Sequence, residues 1–152
     1  MNIIVIRADG SYYTRPDTTL EREPKDFYAP DDIETVCART CTWIKVTKAC
    51  KAVPKAFAHR YFDALGRGVL LTCNDTITHI DYSSYFFEPA EPAYKLEKAQ
   101  YDHICSEIAR VTKHISVRYA DIIAFENEDP QVFRRSETVN PYSDESLEFS
   151  IR

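Results

Sequence analysis

The sequence predicts an α+β chain, mostly β, in which two helices pack against a mixed sheet. Three stretches carry that prediction. Residues 54–75 (PKAFAHRYFDALGRGVLLTCND) set Phe57, Tyr61, Phe62 and Leu65 at helical spacing behind Pro54, a residue suited to a first helical turn. Gly66 stands where that helix would stop, and Val69, Leu70, Leu71 and Cys73 then form the short apolar run of a buried strand. Residues 33–47 (IETVCARTCTWIKVT) are rich in β-branched side chains and nearly free of breakers, which predicts a long strand. Residues 94–113 form an amphipathic helix, with Tyr101, Ile104, Cys105, Ile108 and Val111 on one stripe.

At 152 residues the chain is long enough for one domain, read as residues 1–152, with a core of its own. A 44% apolar and 12% aromatic content fits a folded protein rather than a disordered one. Gly10, Gly66 and Gly68 are its three glycines, and no glycine-rich phosphate loop can be built from them. A net charge of -5 argues against nucleic acid as a partner. No apolar run approaches the roughly 18 residues of a membrane span. The opening MNIIVIRADG lacks the cationic start of a signal peptide. Five cysteines, an odd number, then read as reduced thiols, and the expected location is cytoplasmic.

Taken in order, residues 2–7 form a buried strand, and residues 8–24 read as a polar stretch with turns at Asp9-Gly10 and Arg15-Pro16-Asp17. After the 54–75 unit, residues 76–95 read as an irregular connection, aromatic at first and then broken by Pro89 and Pro92. Ile122, Ile123 and Phe125 mark a strand beyond the 94–113 helix, and LEFSIR alternates as a closing strand.

These segments resemble the fumarylacetoacetate hydrolase family. FAHRYFDALGRGVLLTCND is similar to the family's F-A-H-x-Y-Y-D helix and the strand ending T-A-R-D, with His59, Tyr61, Asp63, Gly68, Thr72 and Asp75 on the pattern and Cys73 and Asn74 off it. T-R-P-D-T-T-L resembles its K-P-D-T-A-L motif, with Arg15 for the lysine. The resemblance covers most of residues 14–75 and 101–152 and implies a mixed β-roll of the family's C-terminal-domain type with two helices. It also implies a divalent metal held by a glutamate-x-glutamate pair with a histidine just before it. Those three positions are Arg39, Cys41 and Cys37 here. A guanidinium repels a cation and a thiol is a poor ligand for a hard one, so no metal is expected in that manner. The small T-G-T-P-x-G turn implied after the Ile122 strand is replaced by Phe125-Glu126-Asn127-Glu128-Asp129.

Other groupings fall short of a site. Cys37 and Cys41 share a strand face but stand about 13 Å apart, too far for one zinc ion, and read as small buried hydrophobes. His59 with Asp63, and His103 with Glu107, are i,i+4 pairs of the kind helix surfaces carry. Ser83, Ser84 and Ser143 have no nucleophile context, and the carboxylates from Glu126 to Glu148 read as a solvated face.

The resulting expectation is a non-catalytic relative of the family, a structural, interaction or small-anion-binding domain without cofactor, whose ligand-binding residues would be Arg15, Arg39 and Asp75. The alternative is a metal-independent hydrolase, decarboxylase or tautomerase of small acidic keto compounds, using Arg15 and Arg39 for the substrate carboxylate and His59 as acid and base. A homodimer is expected, burying Tyr82, Tyr85, Phe86 and Phe87. If Arg39 points inward it requires a compensating carboxylate, and Asp63 and Asp75 are the nearest in sequence.

Overall fold

The computed structural model describes residues 1–72, 82–127 and 129–152, the Pro89 side chain excepted. Strand β1, Asn2–Ile6, buries Ile3, Ile4, Val5 and Ile6, since both of its faces are covered. The chain turns at Asp9-Gly10 into β2, Tyr12–Pro16, antiparallel to β1. Gly10 takes φ +89°, and Asp9 Oδ1 accepts from the Ser11 N–H and hydroxyl. This strand lies within the stretch expected to be loop. Its polar residues hide the alternation, and the open edge of β1 supplies the pairing.

A single 3₁₀ turn, Asp17–Thr19, leads to β3, Leu20–Glu21. Strand β4, Thr35–Lys45, then crosses the whole sheet. β5, Ala64–Thr72, and β6, Ser84–Pro92, follow, and then helix α1, Lys98–Thr112. β7, Ile122–Glu126, and β8, Gln131–Arg134, pair one after the other along the same edge of β4. The short β9, Thr138–Val139, and β10, Phe149–Ser150, form a separate ribbon.

The main sheet runs β2-β1-β7-β4-β5-β6-β3, with β8 beside β4. It is mixed, since β1–β7 and β3–β6 are parallel and its other pairs antiparallel. Its end strands β2 and β3 are joined by three residues, which span no more than about 14 Å. The sheet therefore curls back on itself into a roll. Alternation along β4 sorts the core. Cys41 and Trp43 point inside, with Ile3, Val5, Leu70, Phe86, Ile122 and Ala124. Ile44 and Val46 face outward beneath α1 and the 55–60 turns, while Val36 and Ala38 pack under β9 and β10.

Three local expectations change. The 54–65 helix is a run of 3₁₀ turns, Lys55–Arg60, and β5 begins at Ala64, so Gly66 sits within a strand. The reason is Trp43. Its ring lies across Gly66, where an added Cβ would come within 2.3 Å of the indole, and its Nε1 donates to Arg67 O. His59 and Asp63 consequently do not form a helical pair. The connection expected over 76–95 contains β6, which tolerates its prolines because Glu88, Pro89 and Ala90 bulge opposite Gly66 alone. Beyond Tyr85 its outer edge pairs with no described strand. Finally, Tyr82, Tyr85, Phe86 and Phe87 are each at most 4% exposed, so the aromatic patch expected at a dimer interface belongs to the chain's own core.

Candidate functional site

Inside the roll the apolar floor gives way to charge. Ile3 and Val5 on β1, and Ile122 and Ala124 on β7, point inward, and the same alternation carries Arg7 and Glu126 to that side. On β4 it carries Arg39 there, two residues before Cys41. Glu126 stands directly across from Cys41 in the β4–β7 register. Its Oε1 lies 3.2 Å from Arg39 Nε and its Oε2 lies 3.5 Å from Arg7 Nε. The Glu126 side chain is 4% exposed and that of Arg39 11%, so the carboxylate is stripped of water and held by guanidinium groups.

Glu126 is thus the carboxylate that an inward Arg39 requires. Asp63 is exposed and precedes β5, about 20 Å along the strand from Leu70, the cross-strand neighbour of Arg39. Asp75 lies outside the described residues. The reading of Glu126 as part of a solvated acidic face is therefore corrected. Its place in phase with Ile122 and Ala124 was the signal for burial. Arg7 carried the same signal, in phase with Ile3 and Val5.

Arg15 is 3% exposed and serves the roll itself. From β2 its Nη2 donates to Leu71 O at 3.1 Å and its Nη1 to Ser84 Oγ at 3.1 Å, with Tyr82 O and Ser83 O at 3.4 Å. Its Nε donates to Tyr13 Oη, and Thr19 and Ser84 exchange a hydrogen bond alongside. This guanidinium clasps the first edge of the sheet to β5 and β6. Burial raises the Tyr13 phenol above its usual range, with neighbouring Arg15 opposing.

Burial also pushes the Cys41 thiol far up, Glu126 adding to the effect and Arg15 opposing it, so the group is a neutral thiol. Cys37 and Cys41 are both buried. Thr72, across from Cys37, keeps a buried hydroxyl that has no hydrogen-bond partner among the described residues.

Of the two histidine candidates, His59 lies away from this cluster and His103 lines a cleft beside it. His59 is exposed at a shallow cleft with Lys55, Tyr101, Asp102 and Cys105, beside α1 on the outer face of the sheet. The sheet thus separates His59 from Arg39. His103 rests its ring against Phe125, centroids 6.0 Å apart, and lines a cleft of about 300 Å³ with Arg7, Glu107, Glu126 and Asn127. Glu107 is bonded to Arg110, 3.0 Å from Nε. Ser83 and Ser84 border the Arg15 clasp.

No protein-family model and no curated protein matches this sequence. Solved structures do match its fold. A Yersinia pestis protein assigned to the fumarylacetoacetate hydrolase family superposes with a TM-score of 0.78 at 12% identity, over 99% of this chain and 92% of that one. The chain has the fumarylacetoacetate hydrolase fold. Fumarylpyruvate hydrolase from Pseudomonas aeruginosa, solved with Mn2+ and pyruvate, matches at a TM-score of 0.74 and 10% identity, over 91% and 82% of the two chains. 2-Hydroxyhepta-2,4-diene-1,7-dioate isomerase from Mycobacterium marinum matches at 0.71 and 12%, over 90% and 68%.

Within this fold the donor set does not fit a divalent ion. Where the resemblance implies two glutamates, this chain holds a guanidinium paired with Glu126 and a neutral thiol. Among the described residues no three histidine, cysteine, aspartate or glutamate side chains are gathered to hold a metal. A hard cation placed against Arg39 would meet like charge instead of oxygen.

Proposed function

We propose that this chain, as a single domain over residues 1–152, is a non-catalytic derivative of the fumarylacetoacetate hydrolase fold that serves as a structural or interaction domain. One observation carries the reading: the charged groups inside the roll are engaged with other parts of the same chain. Arg15 holds the edges of the sheet together and Arg39 is paired with Glu126. The pairing of β1 with β7 and of Phe27 with Ile151 supports a single domain, because segments from both ends of the sequence complete each other. Buried thiols at Cys41 and Cys105 suit the reducing cytoplasm. No described helix is long and apolar enough to cross a membrane. A homodimer remains part of the reading, formed through surfaces other than the aromatic run of β6.

The rival reading, a metal-independent hydrolase, decarboxylase or tautomerase of small keto acids, draws on the hydrolases and isomerases among the structural neighbours. It asks His59 and Arg39 to act on one substrate from opposite faces of a sheet. Progress curves with acylpyruvates and oxaloacetate, run after chelation and again with Mn2+, separate the two. The non-catalytic reading expects rates equal to buffer in both. An enzyme-dependent rate that survives chelation would establish the rival.

A further inference from the structure

We propose that the Arg39 guanidinium is the resident cation of this fold, tethered to β4, and that Arg39 and Cys41 stand where two carboxylates would build, with Glu126, an oxygen-ligand metal site. The inference deepens the non-catalytic reading and rests on it. Residues 39 and 41 point to the same face of one strand, and residue 126 lies directly across from 41 while touching 39. Such neighbours have Cα atoms roughly 4.5–7 Å apart, close enough for three carboxylates to share one ion at bonds of about 2.1–2.6 Å. At present the chain places one carboxylate, one guanidinium and one neutral thiol at those positions. The cation is already supplied, covalently, by a side chain.

Reversing the two residues tests this on the intact chain. Arg39→Glu/Cys41→Glu gathers three carboxylates on the inner face, with Arg7 still 3.5 Å from Glu126. Calorimetric titration with Mn2+ should give a one-to-one site tighter than about 0.1 mM, beyond the range of weak oxygen sites. Without metal the variant should melt below wild type, and Mn2+ at a hundred times its Kd should raise the midpoint by about 5–10 °C. Wild type should show neither effect. A milder variant, Arg39→Gln/Cys41→Asp, adds only one carboxylate and covers the case in which the first is unfolded without metal.

The inference is overturned if wild type itself binds Mn2+ one-to-one at comparable affinity, or if a folded variant binds none. It also falls if both variants stay unfolded in millimolar Mn2+, because an external cation is expected to replace the tethered one. Enzymatic turnover by the wild type would refute the non-catalytic reading while leaving these melting and titration results to stand or fall by themselves.

Discussion

Replacing Arg15 with methionine keeps an unbranched apolar stem and removes the clasp. Three contacts at 3.1 Å are lost, to Leu71 O, Ser84 Oγ and Tyr13 Oη, and each is worth about 1 kcal/mol net, more where the donor's charge is desolvated. The two contacts at 3.4 Å are near the limit of a hydrogen bond and add little. Against this, methionine removes a guanidinium that is only 3% exposed and returns part of its desolvation cost. The balance is a loss of about 2–4 kcal/mol, or a fall in melting temperature of about 5–15 °C for a chain of this size. Thermal melts followed by near-ultraviolet circular dichroism read it directly. Arg15→Lys should also melt low, because a single ammonium cannot span both Leu71 O and Ser84 Oγ. If Arg15 were instead a ligand residue, methionine would leave the ligand-free melt unchanged and abolish stabilisation by small carboxylates. A change below about 0.5 kcal/mol, the range of ordinary surface substitutions, would refute the clasp.

Gly68→Ala should cost more than about 2 kcal/mol, because its Cβ would stand 2.4 Å from Tyr85 O, a backbone atom that cannot step aside; urea denaturation tests it, and a near-neutral result contradicts the packing. Asp26 is held below its usual value first by Arg152 and then by the Ser150 N–H, so the stability it contributes is present above about pH 4 and lost progressively as the pH falls below that; Asp26→Asn should therefore melt lower than wild type at pH 6, by a gap that narrows as the pH is lowered below 4. In thiol titration at pH 8, Cys50, pushed up to about 11 by burial and then by Asp121, should react slowly, and Cys37, Cys41 and Cys105 only on unfolding. Light scattering at tens of micromolar should return twice the 17.6 kDa chain mass, and Tyr85→Ala should unfold the chain rather than merely dissociate it.

Much of this architecture was legible in the residues. The IETVCARTCTWIKVT run fixes β4, and the apolar stripe of α1 and the Ile122 strand fall where their periods place them. The polar strand β2 was not legible. Its pairing comes from β1 and from closure of the roll, which no local pattern records. Gly66 misled for a similar reason, since what demands a glycine there is the ring of Trp43, some twenty residues away in sequence. At the site, the inward phase of Arg39 was readable, and so was its need for a carboxylate. Of the two carboxylates nearest in sequence, Asp63 is exposed before β5 and Asp75 lies outside the described residues, while the β4–β7 register sets Glu126 beside Arg39. The acceptors of Arg15 in the fold, Leu71 O on β5 and Ser84 Oγ on β6, are visible only once the sheet has closed.

The account turns on Arg39 and Glu126 acting as one buried unit, and a double-mutant cycle measures that directly. Arg39→Met, Glu126→Gln and the double variant are melted beside wild type under one buffer. Each single substitution should destabilise, since it leaves the other group buried with one charge partner fewer, and the double variant should recover part of the loss. The expected coupling is at least about 1.5 kcal/mol. Additive losses, with coupling under about 0.5 kcal/mol, would mean that Arg39 does not act as the internal cation of this fold.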